Sequence, residues 1–309
     1  MPKEDQDRKT ALGRAALLAY GLAAAAMLFW AGNWVVVRAA RSEVPPVGLN
    51  FWRWLVAALV LLPFVWGTVR RDWPAARKNW RVLLGLAATG AAVFHTMINV
   101  GLRSTEAINA LLLNAAAPVI IIVMAWAVFR DTVTRRQIVG IAISLAGAVV
   151  LVSRGEPTAL TELRFNTGDL WVLAALFVWS AYSILLKRRP PEIDGGSLLF
   201  YMCVIAVILM APVYAWETAA GRPVAFNLPA LATIAYTALF ASVAGLLCYN
   251  AAIARIGPGT TGFFFHLMPV FGSALAILFL GEELHLYHLA GFGVVLVGIL
   301  LSTYRISYG

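Results

Sequence analysis

Trp30, Asn33 and Trp34 stand at i, i+3 and i+4, so a helix through them carries one amide between two indoles on a single face. Within an apolar stretch that amide is costly unless it meets a partner, either a neighbouring helix or a bound molecule. His95 and Asn99 are four residues apart, and Tyr249 and Asn250 occupy the matching depth of a later stretch. Such groups offer contacts for an ammonium or a carboxylate, or else hydrogen bonds that lock helices together. Arg53 lies between Trp52 and Trp54, seven residues after Pro46, which is about 10 Å along a helix. Its guanidinium either reaches past the indoles to interfacial water or stands ready for a carboxylate. Trp179 and Tyr182, at i and i+3, complete an aromatic set that suits a ring or an apolar side chain.

Two prolines add a capacity for bending. Asn114 stands four residues before Pro118, and His266 three before Pro269. A proline inside a helix frees a carbonyl and permits a kink, so Pro118 and Pro269 are expected as hinges. The polar neighbour either touches a bound molecule or satisfies the freed carbonyl. His95 and His266 are the mid-span side chains that titrate near neutral pH, because the apolar runs contain no Asp or Glu. The expectation is downhill facilitation or exchange, with histidine-linked proton coupling as the alternative.

The elements that hold these residues follow from composition. The 309 residues are 61% hydrophobic and 13% charged, with a mean hydropathy of +0.81. That is more apolar surface than one soluble core can hide, so lipid is the solvent. A crossing helix needs about 20 apolar residues. Runs of that kind extend over Ala15–Val37, Pro46–Val69, Trp80–Leu102, Ala107–Phe129, Gln137–Val152, Leu170–Leu186, Ser197–Trp216, Pro229–Ala252, Thr260–Leu280 and Leu286–Tyr304. With the amino terminus inside, Lys3, Arg8, Lys9, Arg14, Arg70, Arg71, Arg77, Lys78, Arg81, Arg130, Arg135, Arg136, Lys187, Arg188, Arg189, Arg255 and Arg305 all fall on the cytoplasmic side. Only Arg38, Arg41, Arg103, Arg154, Arg164 and Arg222 fall outside, so both termini are expected in the cytoplasm of a cell with this protein in its inner membrane. The first run lengthens into a full span with no small-residue cleavage site and is read as retained.

A shift of 151 residues superposes Asn99 on Asn250, Pro118 on Pro269, Asp131 on Glu282, Gly140 on Gly291 and Gly147 on Gly298. A shift of 149 places Trp30 on Trp179, Arg38 on Lys187, Phe51 on Phe200 and Pro63 on Pro212. The chain therefore repeats itself: residues 1–153 form one five-helix unit, 154–168 an outer linker and 169–309 a second unit. An odd number of spans per unit inverts the second in the membrane, so the expected fold is all-α, ten transmembrane helices as two inverted five-helix repeats. Such repeats place a central cavity near the midplane, between the halves.

Phe29-Trp30-Ala31-Gly32-Asn33, Phe129-Arg130-Asp131 leading to Gly140, and Leu280-Gly281-Glu282 leading to Gly291 resemble the EamA-type repeats of the drug/metabolite transporter superfamily. The chain is most similar to its ten-helix exporters of amino acids and related metabolites, including the YddG-like aromatic amino acid exporters. That resemblance implies outward transport of a small molecule by alternating access and leaves the substrate open among amino acids, other metabolites and cationic drugs. The sequence departs from the pattern at Asp131, where such repeats more often carry Glu. It departs again at Tyr182, the counterpart of Asn33, which makes the cavity chemically asymmetric. An intramembrane enzyme or a non-transporting membrane subunit are the rival classes. The first would need clustered carboxylates or a metal set within the spans, and none is visible.

Other signals carry no chemistry. Gly257-Pro258-Gly259-Thr260-Thr261-Gly262 spells a dinucleotide fingerprint, but it follows a membrane span and reads as a turn opening the ninth helix. Glu282, Glu283, His285 and His288 sit in a loop without closed metal-ligand spacing. Cys203 and Cys248 lie singly in apolar runs. The basic residues fall in short clusters between spans and form no nucleic-acid surface. No cofactor is expected. Gly140, Gly147, Gly291 and Gly298 can pack helices within or between chains, so the oligomeric state stays open.

Overall fold

The computed structural model describes residues 3–40, 44–101, 104–105, 113–130, 133–156, 158–161, 166–280 and 283–303, with residues 3–14, 38, 39, 99, 160, 161, 276 and 280 described by their backbone alone. Every regular element among them is helical. In order, α1 is Lys3–Ala39 and α2 is Pro46–Lys78, while α3 covers residues 80–101. The next elements are α4, Ala117–Phe129; α5, Arg135–Val152; α6, Thr167–Lys187; and α7, Gly195–Ala219. Residues 228–280 form one long helical run, and α10 is Leu286–Thr303. Thr134 with Gln137, and Asn166 with Asp169, close capping boxes that start α5 and α6. Asp194 and Asn227 cap the next two starts through Gly196 and Ala230.

Among the described residues eight stretches are long and apolar enough to cross a membrane, and one of them is the 52-residue run Leu228–Phe279. Gly257 breaks that run with φ 78° and ψ 164°, a conformation open to glycine, so it serves as two spans, α8 before the break and α9 after it. The turn expected from the Gly-Pro-Gly segment is thus a sharp break. The shorter apolar helix α4 brings the spans to ten among the described residues; its expected beginning at Ala107 lies outside them, as do Asp131 and Glu282. Helix α2 runs on past Val69, where the sequence suggested it would end. Pro63 and Pro74 each remove only one hydrogen bond, and the last turns are solvated by Arg70, Arg71, Arg77 and Lys78.

Packing shows the inversion directly. The equivalent helices α5 and α10 lie against each other, Gly140 facing Gly298 while Gly147 faces Gly291, so they run antiparallel. The contact is its own image under the repeat, and it is made within one chain. Helices α2 and α7 pair in the same way: Glu217 at the end of α7 accepts from the backbone N–H of Gly48 (2.7 Å) and Val47 (3.3 Å) at the start of α2. At the other end, Asp72 of α2 accepts from the Asp194 N–H that precedes α7, at 2.9 Å. Each helix thereby ties down the partner's first turn with a buried carboxylate, a charge-assisted bond at the positive end of a helix. Between these two pairs, α1 packs on α8 and α3 on α6, which are the same contact after exchanging halves.

Candidate functional site

The helices of both halves bring most of the expected aromatic set together. Trp30 of α1 lies 5.1 Å from Trp179 and 5.0 Å from Tyr249, between ring centroids. Trp179 in turn lies 5.0 Å from Tyr182 and 5.4 Å from Tyr249. Phe94 and Phe265 close the group from α3 and from the 3₁₀ turn Phe263–His266 in α9. Polar atoms are threaded through these rings. The Tyr182 hydroxyl donates to Asn250 Oδ1 at 2.6 Å, and Ser183 Oγ shares a hydrogen with the Tyr249 hydroxyl at 2.8 Å. Asn250 Nδ2 is buried with no hydrogen-bond partner among the described residues.

Two π-helical stretches flank the cluster, Ala88–Val93 in α3 and Thr237–Ala244 in α8, at equivalent positions of the repeats. Such stretches occur mostly at functional positions, because the widened turn redirects carbonyls and side chains. Here the Trp30 indole donates to the Ala241 carbonyl at 2.9 Å, and Ser242 Oγ accepts from Arg53 Nε at 2.9 Å. Arg53 is 5% exposed, so it does not reach past the indoles to interfacial water. Its guanidinium carbon sits 5.0 Å over the Trp54 ring, and Trp54 lies 5.9 Å from His95. His95 therefore borders the cluster through Trp54 and Phe94.

The proline regions meet near the axis relating the halves. Val119 N bonds to the Ala116 carbonyl, so the Ala115 carbonyl ahead of Pro118 is free of the helix ladder. His266 Nε2 donates to that carbonyl at 2.9 Å. Since a carbonyl only accepts, Nδ1 is left to accept from Ser144 Oγ at 2.6 Å. His266 is thus fully engaged, and the side chain that satisfies the freed carbonyl comes from the opposite half. Asn114 makes a long contact with Met268 Sδ, 3.8 Å. Among the described residues Asn33 and Trp34 make no hydrogen bond or ring pair with the cluster, although Trp34 packs against the same apolar core; Asn33 Oδ1 is buried without a partner among them. The Asn99 side chain lies outside the described residues.

Rings pack together at the centre, where the sequence suggested an open cavity; large aromatic faces from five helices gain more by packing than by wetting. Open space lies at the basic end. A cavity of about 400 Å³ runs along α8 from Leu247 to Arg255, bordered by Arg189 and Asp194 and lined by Cys248 and Asn250. That volume accommodates a small metabolite. Ser183, Ser242, Phe94, Phe265 and the π stretches escape a sequence reading: hydroxyls and phenylalanines are common in any span, and no local pattern distinguishes a π turn.

Ten spans folded as two inverted halves about a shared aromatic and polar centre define a membrane transport protein. The chain belongs to the EamA-like transporter family of the drug/metabolite transporter superfamily, whose model matches it twice, over residues 17–153 and 166–304. It is 25% identical over 283 residues to an uncharacterized transporter of Archaeoglobus fulgidus, covering 91% of this chain and 96% of that one. It is 27% identical over 255 residues to the uncharacterized transporter YyaM of Bacillus subtilis, covering 82% of each. A protein of Streptantibioticus cattleyicolor named a probable terminal-alkyne amino-acid exporter is 27% identical over 281 residues, covering 89% of this chain and 90% of its own. A crystal structure of 16% identity superposes with a TM-score of 0.74 over 94% of this chain and 96% of its own, which fixes the fold alone. The protein is a multi-pass membrane transporter and takes a small-molecule substrate; the names of its family and relatives are those of transporters, not enzymes.

Proposed function

We propose that the protein exports an amino acid, aromatic or otherwise neutral, by alternating access. The observation that carries this reading is the central cluster, in which Trp30, Trp179, Tyr182 and Tyr249 from both halves surround an Asn250 amide with a spare donor. Aromatic walls suit a ring or an apolar side chain, and the amide suits one end of a zwitterion. The amino-acid exporter among the relatives supports the same class. Both termini and the basic end face the cytoplasm of a cell whose inner membrane holds the protein, so the cavity beside Arg189 and Arg255 is the entry side. The repeats divide as residues 1–153 and 169–309, with 154–168 between them, and they rock about α4 and α9.

Purified protein in liposomes, loaded with labelled amino acids and competed with unlabelled ones, is expected to show saturable flux for a neutral amino acid that runs down its gradient. Flux of an aromatic cation with no flux of any amino acid would favour a drug exporter instead. Turnover of a lipid-linked compound without flux would indicate an enzyme.

Replacing Pro118, in the first turn of α4, and Pro269 with alanine restores the missing backbone donors and removes the ring constraint at each position. The double variant is expected to lower the maximal transport rate about tenfold while apparent affinity changes less than twofold. Equal losses in both would remove the hinge role.

A further inference from the structure

Helix α2 presents buried donors that lack acceptors. Asn50, Arg53 and Trp54 stand at i, i+3 and i+4, hence on one face. Asn50 is 2% exposed and Trp54 is fully buried. Asn50 Nδ2 and the Trp54 indole N–H have no hydrogen-bond partner among the described residues. Arg53 spends one of its five donors on Ser242 Oγ, and no other hydrogen bond is made by its guanidinium among them. It has no carboxylate partner either: the one ion pair among the described residues is Arg71 with Asp72, at the far end of the same helix.

A buried guanidinium without an anion is strongly disfavoured, and its persistence in a membrane span marks a place where an anion arrives. Two uncharged donors on the same face sharpen the point, because the unpartnered Asn50 Nδ2 and Trp54 indole N–H can each donate to an oxyanion. The Trp54 ring beneath the guanidinium and the Ser242 hydroxyl in the π stretch hold the charge in place.

We infer that the Asn50, Arg53 and Trp54 face anchors the carboxylate of the cargo, Arg53 as the charged partner and Asn50 and Trp54 as flanking donors. This rests on the export reading above and adds what the cargo must carry: a compact carboxylate. It also predicts discrimination against cations, which the bare guanidinium repels.

The test uses the full-length protein with L-phenylalanine, L-tryptophan and L-leucine, each beside its carboxamide. Readouts are the ligand-induced rise in melting temperature in detergent and the flux in liposomes. In the unsubstituted protein the acids are expected to bind about 30-fold or more tighter than the amides, the loss that accompanies removal of one partner of a buried charge pair. Arg53→Met is expected to erase that preference. Without ligand it should melt no lower than the parent protein, since it removes an unpaired buried charge and keeps an unbranched chain of similar length. Arg53→Lys should keep part of the preference, because a point charge replaces the planar fork. Equal handling of acids and amides, with flux intact, would overturn the anchor and leave the export reading standing. A ligand-free Arg53→Met protein melting well below its parent would make Arg53 structural and also overturn the anchor. If exchanging chloride for gluconate lowers the melting temperature of the parent protein and not of Arg53→Met, the face holds a free inorganic anion and the carboxylate assignment fails. Flux for none of the six compounds would remove both readings.

Discussion

Gly298→Leu is expected to abolish recovery of folded protein. A side chain at that position would start 2.6 Å from the Gly140 carbonyl oxygen and 2.6 Å from Ser144 Cβ, in the crossing of α10 over α5. Backbone atoms cannot rotate aside, so the helices must separate along the length that Gly147 and Gly291 also hold together. Forcing extra methylenes into a well-packed core costs about 1–3 kcal/mol, and a crossing fixed by backbone contacts lies at or above the upper end. Gly293 supplies the control on the same helix: nothing lies within 4 Å of a β-carbon placed there. Gly293→Leu should stay within about 0.5 kcal/mol of the parent, as exposed substitutions do. Size-exclusion profiles of the two variants decide the matter, and comparable monodisperse peaks from both would show that the crossing tolerates side chains.

The second large effect falls on the cluster. Trp179 is 3% exposed and touches Trp30, Phe94, Tyr182, Tyr249 and Phe265, so it joins the aromatic contributions of both repeats. Trp179→Ala opens a large void, with a cost of about 3–5 kcal/mol in stability. The remaining rings lose their common neighbour, and flux is expected to fall roughly 100-fold through misplacement of the contact surface. Trp179→Phe keeps a ring in the site and should recover most of the stability with an altered cargo preference. Trp216, 71% exposed on α7, gives the reference: Trp216→Ala should leave flux unchanged. Melting temperature and liposome flux measured together check this. Full flux in Trp179→Ala would detach the cluster from transport.

Buried carboxylates mark a limit of reading by hydropathy. Glu217 and Asp72 stand at the ends of apolar runs, where a sequence window treats them as the start of a loop. In the fold each is buried against the first turn of the partner helix, fixing the α2 and α7 pair at both ends. Their role depends on a second helix arriving from 169 residues away for Glu217 and 122 for Asp72, and nothing local announces it.

The repeat, the helical class and the spans were written in the sequence, because hydrocarbon imposes the same demand at every crossing: about 20 apolar residues with their backbone bonds closed internally. The matched prolines and glycines were equally visible, since a repeat leaves residue identities in register. Trp30, Trp179, Tyr182, Tyr249 and Asn250 could be nominated for the same reason, as bulky or polar residues at equivalent depths. Tertiary structure alone decided which of them meet. It set Arg53 inside the protein, turned His266 into a cross-half lock on the Ala115 carbonyl, and left Asn33 Oδ1 without a hydrogen-bond partner among the described residues. It also created the two π stretches and left the buried Asn50 Nδ2 and Trp54 indole N–H without acceptors on the face that carries Arg53. Periodicity tells which way a residue points on its own helix, whereas satisfaction of a buried polar atom depends on what the neighbouring helix brings to it, and that is a property of packing.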